Sequence, residues 1–564
     1  MDDVRPEPPF PFRIRIGVTG HRRLPHAGDL AARIDEALDV HVPGLLGPAG
    51  VSIRASTRTP LEFTVVTPLA EGADRLVAET ALKRADTTIE VVLPLTVEDY
   101  VEDFATDASR AEFRRLMARA RRPISLRETP LADEFGPGEL VEARERAYED
   151  VGRHVVRHCD VLLALWGGET ARGKGGTADT VAYARSIGRP VVVIDTDRPF
   201  GIEVHAGDGI RTDTFAQIDA FNAFDMSALD VTAYVESIYS DLFDSESGRS
   251  LSADLTSTVR RRLLPHYARA SAIAKRNQGL YMLAGSVAYS FAALAVATVA
   301  MGALFLKGEP LVFVVEFLVL ATSCVLVLVA NHRRAHRRWL EHRFLAERLR
   351  VACLVAACGL EVSSLGVPPQ HGTGPRPGGW MEMVFAEAWS RMPMMAGCAA
   401  GSCVGVSTFV KEAWIEDQIA YHEAKARRNE RLSRRIEVGG IVVFCVALTA
   451  PLLHLVLFNP VDLLGAAVGP RGEELFAGVL TLCALVLPAL GAALGGIRAH
   501  REYSRLAKRS EDMVAALQNL HDSLERARTP KQLESVVHEA EQLMLSEVQD
   551  WVSLTTFSVL EYVA

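Results

Sequence analysis

The hydrophobic pattern changes character halfway along the chain. From residue 13 to 195 short apolar runs alternate with amphipathic stretches. Beyond residue 278 the apolar runs become long. Residues 279–306 carry no charge, 311–331 carry only Glu316, and 438–458 and 475–497 again carry none. A helix needs about 20 apolar residues to cross the hydrocarbon core. Each stretch therefore predicts a membrane span rather than a buried helix of a soluble protein. Lys307-Gly308-Glu309-Pro310 joins the first two spans into a tight hairpin, and residues 459–474 join the second two.

Lys and Arg set the expected orientation. The turns hold only Lys307 and Arg471, whereas the opposite flanks hold Arg260–Arg262, Lys275, Arg333, Arg334, Arg427, Arg428, Arg498 and Arg501, among others. Both termini are expected in the cytoplasm and both turns outside, in the plasma (inner) membrane. Residues 1–12 are acidic and Pro-rich and predict no secretory signal.

The two hairpins look duplicated. Arg334-Ala335-His336-Arg337 follows the second span and Arg498-Ala499-His500-Arg501 follows the fourth, with Trp339 meeting Tyr503 in that register. Each unit reads helix, hairpin, helix. Leu506, Met513, Leu517, Leu520 and Leu524 recur at helical spacing after the fourth span. They predict a helix packing within the protomer or on another subunit. Gly491-xxx-Gly495 and Ala288-xxx-Ala292 are expected to let helix backbones approach. Glu316 and His454 are candidate pore or intramembrane polar residues, because a polar group in a span is costly and tends to face protein or water. Glu316 also suits a place at the interface, near the outer end of its span. Residues 393–410 are uncharged but rich in small residues and are expected not to span.

The amino-terminal half predicts an α/β domain with a parallel sheet. Strands are expected at 13–18, 63–66, 89–93, 161–166 and 190–194. Ligands bind open α/β sheets at the carboxyl ends of the strands. Three loops there suit a phosphate: Thr19-Gly20-His21-Arg22, then Gly72-Ala73-Asp74, then Trp166-Gly167 with Lys174-Gly175-Gly176-Thr177 and Asp179. Glycine lets backbone N–H groups approach an anion, and the helix that follows adds its positive end. Neither the P-loop nor the G-x-G-x-x-G spacing is present, and ordinary βα turns are the competing reading. His154 and His158, four residues apart, suit a helix end better than a metal. No H-E-x-x-H or Cys-x-x-Cys pairing occurs, so no metal is predicted.

Composition sharpens this picture. The chain has 564 residues, 49% hydrophobic and 23% charged, with a formal net charge of −9. That charge argues against nucleic acid as the main partner. Eight cysteines are too few for a disulfide scaffold. The mean hydropathy of +0.13 averages a charged α/β domain and a membrane part.

The succession Gly17-Val18-Thr19-Gly20-His21-Arg22, Glu71-Gly72-Ala73-Asp74 and Gly175-Gly176-Thr177 resembles the SLOG superfamily of Rossmann-like domains, over residues 12–200. That superfamily includes LOG nucleotide phosphoribohydrolases, DprA-like proteins and nucleotide sensors of bacterial conflict systems. The membrane half resembles tandem SLATT domains, two-transmembrane effectors, through its basic helix, hairpin, basic helix pattern and its aromatics at Trp339, Trp414, Tyr421 and Trp551. The resemblance implies a sensor of a nucleotide second messenger or NAD-derived ligand joined to a membrane effector. That effector would be a ligand-gated pore or channel in bacterial defence or stress signalling. Four helices with few polar residues do not enclose an ion path in one subunit, so a conducting form is expected to be a homo-oligomer. The implied organisation is 12–200 sensor, 201–258 acidic connector, 259–360 first membrane unit, 361–411 inter-unit region and 412–564 second unit. The alternative is a membrane-tethered phosphoribohydrolase with Glu71, Asp74 and Asp179 as candidate acids. In LOG hydrolases the last loop reads Pro-Gly-Gly-x-Gly-Thr followed by a glutamate. Lys174 and Asp179 depart from that pattern, which puts hydrolysis in doubt more than binding.

Overall fold

The structure is a computed structural model. It describes residues 8–120, 123–136, 138–169, 176–224, 231–362, 379–395, 397, 403–457 and 465–555. The chain divides into two units, Met1–Asp225 with Arg376–Arg391, and Met226–Pro375 with Met392–Ala564.

The first unit is built on a seven-stranded sheet: β1 Phe12–Gly20, β2 Leu61–Thr67, β3 Thr87–Leu93, β4 Ile124–Ser125, β5 Val161–Leu165, β6 Val191–Ile194 and β7 Ile202–His205. The strand order is β4-β3-β2-β1-β5-β6-β7. All pairs are parallel except β6–β7. Central strands are buried on both faces, so Val161–Leu165 and Val191–Ile194 are apolar throughout. The helix Leu140–His158 closes one face with Ala143, Ala147, Val151 and Val155, four residues apart on one stripe. The expected five strands are present, and β4 and β7 are additional. β4 is only two residues long, and β7 is a four-residue antiparallel edge strand with Glu203 and Val204 exposed; neither carries the apolar run that marks the central strands.

Two segments outside the expected α/β span belong to this unit. The helix Asp213–Asn222 buries Thr214, Ile218 and Phe221, while its Asp219 accepts hydrogen bonds from Ser56 (3.1 Å) and Thr59 (2.9 Å). The helix Trp380–Ser390 returns from far along the chain. Its Glu387 pairs with Arg13 of β1 at 3.0 Å, and its Trp380 ring lies 6.0 Å from that of Phe221. Residues 201–258 thus divide between the units, with Val231–Phe243 and Ala253–Arg262 in the second.

The second unit is helical. Four helices among the described residues are long and apolar enough to cross a membrane, at mean hydropathies of 1.9, 2.8, 2.2 and 2.3, and no more than 17% of each apolar window is buried within the chain. Leu311, Phe313 and Phe317 are 68–70% exposed. Side chains this apolar need a non-aqueous surround, and the protein is membrane-associated. Leu264–Leu304 forms the first hairpin with Pro310–His332; Asp417–Leu457 packs on Gly465–Arg501.

Close approach between the hairpins uses other glycines than the Gly491 and Gly495 pair. A Cβ on Gly496 would sit 2.4 Å from the Tyr289 ring, one on Gly285 2.2 Å from His500, and one on Gly478 2.9 Å from Phe305; nothing lies within 4 Å of the position on Gly495. Helix rotation decides this: Gly495 is exposed and Gly496 turns inward. These contacts run Leu264–Leu304 antiparallel to Gly465–Arg501 and bring their turn-side ends together.

The two Arg-Ala-His-Arg copies lie beside helix breaks. Arg334 (φ +49°) separates Pro310–His332 from Ala335–Ala357, and Glu502 (φ +51°) separates Gly465–Arg501 from Tyr503–Arg526. Left-handed backbone at non-glycine residues is uncommon. The breaks differ by one helical turn in the repeat register. Even so, His336 and His500 both reach the Tyr281 ring, at centroid distances of 4.4 and 4.8 Å.

Candidate functional site

The sheet order reverses direction between β1 and β5: β2 and β3 lie on one side of β1, and β5 and β6 on the other. Open α/β sheets place their ligand crevice at this switch point, outside the carboxyl ends of the strands. The first and third predicted loops flank it. Thr19 and Gly20 end β1 and pair with Ala164 and Leu165 of β5. The His21 N–H donates to the Leu165 carbonyl (3.2 Å), and the Gly167 N–H donates to His21 Nε2 (3.4 Å). In that bond the ring accepts at Nε2, and the imidazole bridges the crevice.

The second loop is drawn tightly against the first. The Ala73 N–H donates to the His21 carbonyl at 3.0 Å. Gly20 leaves room for this, since a Cβ there would fall 2.5 Å from that of Ala73. Gly72 has φ +83° and its missing Cβ would lie 2.3 Å from the His21 carbonyl oxygen, so only glycine suits the position. Leu69 is also left-handed, at φ +56°. Arg75 clamps the loop, donating to the Leu69 carbonyl (3.0 Å) and to Ser109 and Glu112 (2.8 Å each). Ser109 in turn donates to Glu71, which ties that candidate acid into the scaffold.

Asp74 is 5% exposed and accepts a hydrogen bond from the Ala70 N–H at 3.2 Å. Burial pushes its carboxyl up to about 7, against the pull of Thr67, the Ala70 amide, Arg22 and Arg75. Arg22 is exposed, with its guanidinium 5.5 Å from the centre of the Tyr148 ring. Trp166 is half-buried, and its indole donates to the Glu169 carbonyl at 3.0 Å. Gly176 precedes the helix Thr177–Ser186, where Asp179 lies exposed in the first turn. Lys174 and Gly175 lie outside the described residues. Of the predicted residues, Thr19, Gly20, His21, Gly72, Ala73 and Gly167 are thus linked directly across three loops. Asp74 and Arg22 stand on the β2 side, and Thr177 and Asp179 at the start of the next helix.

The sequence reading missed two neighbouring groups. Tyr100 is buried with no hydrogen-bond partner for its hydroxyl among the described residues, and burial, Tyr148 and Asp74 all push the pKa of that hydroxyl up, keeping it protonated. Tyr148 donates to Asp103, which pairs with Arg144 at 2.8 Å. A polar tyrosine cluster inside the apolar helix faces gave no periodic signal. Asp195 and Asp197, after β6, lie close to Gly167: a Cβ there would be 3.8 and 3.6 Å from their carboxylate oxygens. Acids just past a strand end were readable as such, since Asp195 directly follows the apolar run of β6.

In the second unit Glu316 is half-buried on Pro310–His332 and His454 is exposed on Asp417–Leu457. No group of three or more metal-ligating side chains occurs among the described residues. No protein-family model matches the chain, and no curated protein matches it.

Proposed function

We propose that the protein is a membrane-embedded sensor whose α/β unit binds a nucleotide-type ligand, a second messenger or an NAD-derived molecule, and whose helical unit responds. The observation that carries this reading is the three-loop junction at the β1–β5 switch point, where His21 joins Ala73 and Gly167. The first turns of Ala73–Ala81 and Thr177–Ser186 offer positive helix ends to a phosphate, Arg22 offers a cation, and Asp195 and Asp197 offer acceptors for a ribose diol. Binding biases the membrane helices between two arrangements, and a homo-oligomer conducts ions in one of them. This reading requires neither nucleic acid nor a metal.

The test uses the full chain in detergent and in liposomes. Nucleotides released by heating are identified by mass spectrometry, and a panel including NAD, ADP-ribose and cyclic dinucleotides is scored by thermal shift. The expected result is a shift with at least one nucleotide, weakened about tenfold or more in Arg22→Ala, and ion flux that depends on the same compound. A folded protein that shifts with none, or an Arg22→Ala variant that shifts equally, overturns the ligand reading; binding without flux overturns the pore. A second reading rests on Asp74, whose carboxyl titrates near neutrality as a general acid should. It makes the unit a membrane-tethered hydrolase, and free base released from a bound nucleotide decides for it.

A further inference from the structure

The helical unit holds a cavity of about 620 Å³, within the range of small-ligand sites. The helix Leu264–Leu304 lines it with Tyr267, Ser271, Lys275 and Tyr281 on one face, a run of about 21 Å at helical rise. The lower end, at Tyr281, adjoins the start of the first apolar span, and the upper end lies among the charged helices beyond the spans. A second wall comes from His336, Trp339, Arg343, Glu347 and Arg350, whose spacings of three and four residues put them on one helix face.

Charge is distributed unevenly in this cavity. Glu347 lies 2.6 Å from Arg343 and 2.8 Å from Arg350, so one carboxylate is shared by two guanidinium groups. Lys425 faces the same wall, leaving an excess of two positive charges around Glu347. Of the other acids lining the cavity, Asp241 and Asp417 are exposed and hydrated, Glu547 pairs with Arg509 at 3.6 Å and Glu502 with Arg505 at 3.5 Å, so they offset this little. The Arg350 side chain is 17% exposed and that of Arg343 42%, so an anion entering the cavity meets positive charge that is only partly hydrated.

Hydrogen-bonding capacity points the same way. His336 Nε2, His422 Nδ1 and His500 Nε2 are buried without a hydrogen-bond partner among the described residues, and all three residues line the cavity. His422 is 3% exposed. His422 Nδ1, on the same helix one turn before Lys425, joins the guanidinium and ammonium groups to match the several acceptor oxygens of a phosphoryl group, while His336 and His500 stand at the Tyr281 end of the cavity. Tyr267, Tyr281 and Trp339 add ring surface for the apolar remainder of such a ligand. The geometry points to a binding site for a phosphoryl anion at the inner end of the membrane helices, separate from the α/β crevice and independent of the nucleotide reading proposed for it. The phosphoryl group comes either from a lipid of the surrounding bilayer or from a free organic phosphate.

The test uses the full chain. In detergent, thermal unfolding is followed with inorganic pyrophosphate against chloride at equal ionic strength. In nanodiscs, phosphatidylcholine alone is compared with phosphatidylcholine containing phosphatidic acid. The expected result is stabilisation by pyrophosphate, by phosphatidic acid, or by both. Response to phosphatidic acid alone assigns the lipid source, and response to pyrophosphate identifies a site open to free phosphate. Lys425→Gln and His422→Gln are each expected to weaken the response about tenfold, while Arg22→Ala leaves it unchanged. In the wild-type protein the phosphoryl ligand is also expected to protect Lys425 from amine acylation, read by mass spectrometry, whether or not the variants fold. No stabilisation by either probe, equal stabilisation in both folded variants, or acylation of Lys425 unaffected by the stabilising ligand overturns the site.

Discussion

The helix Trp380–Ser390 makes the α/β unit discontinuous in sequence, and this has a measurable cost. A fragment ending at residue 225 lacks it. Trp380 is 3% exposed and its ring packs on Phe221, itself fully buried. Burial of such a side chain stabilises by about 1.5–3 kcal/mol, and an aromatic pair adds roughly 0.5–1.5 kcal/mol. Arg13, with its side chain 14% exposed, bonds both Glu62 (2.8 Å) and Glu387 (3.0 Å). Losing Glu387 leaves Glu62 and the Thr88 hydroxyl as partners, so the loss is about 1–2 kcal/mol rather than that of a wholly stranded charge. Arg391 donates to the Pro8 carbonyl at 2.9 Å and lies 4.9 Å from the Phe10 ring centre, worth another ~1 kcal/mol. The whole is of order 5 kcal/mol, against about 5–15 kcal/mol for a complete domain. At roughly 2–4 °C per kcal/mol for this size, the 1–225 fragment should melt about 10–20 °C below the same fragment tethered to residues 376–395 by a flexible linker. Circular dichroism melts of the two fragments measure it. Cooperative melts within about 3 °C of each other refute the placement of this helix.

Three further outcomes follow from individual residues. Gly72→Ala forces a Cβ against the His21 carbonyl at φ +83°; the full chain should lose more than ~2 kcal/mol of stability, read as a lowered melting temperature. The Asp74 carboxyl rises from an ordinary 3.8 to about 7 in the folded protein, so between those values the folded state holds the proton that the unfolded state has released. Its contribution to stability therefore falls as pH rises through that window, and Asp74→Asn should flatten the melting temperature between pH 5 and pH 8. Glu347 moves the other way, held down to about 2 by Arg350 and Arg343 against the cost of its burial. Its contribution is complete above pH 4.5 and is lost as pH falls toward 2. Glu347→Gln should destabilise by about 3 kcal/mol at pH 7, seen in detergent melts.

The parts of this molecule that were legible in the sequence are those where one physical signal dominates. Val161–Leu165 is apolar at every position because both faces of its strand are covered, and Pro310–His332 because a membrane helix has no polar face to keep. The switch-point loops were legible for a related reason. A glycine at the end of a strand, as at Gly20, or at positive φ, as at Gly72, marks where backbones must touch. Trp380–Ser390 was not legible as part of the α/β unit: nothing in an eleven-residue apolar stretch states which core it joins across more than 150 positions of chain.

The polar cavity escaped for a different reason, which bears on how such sites arise. His336, Trp339, Arg343, Glu347 and Arg350 share a helix face, but a charged stripe reads as a solvated surface when the helix is taken alone. Only the packing of Ala335–Ala357 against Leu264–Leu304 and Pro530–Thr555 turns that stripe inward. The Arg-Ala-His-Arg repeat shows the same dependence. Each copy sits beside its own helix break, and neither by itself predicts a partner. With the two hairpins packed so that Gly285 admits the His500 ring and Gly496 admits Tyr289, both histidines reach Tyr281. If the repeat reflects duplication, the second copy has taken a role that the first hairpin cannot fill alone: it completes, from the other side, the ring cluster at the floor of the cavity. The motif is thus tied to the inter-hairpin seam rather than to either hairpin. Substitution at Gly285 or Gly496 should then disturb the cavity as strongly as substitution of the histidines themselves.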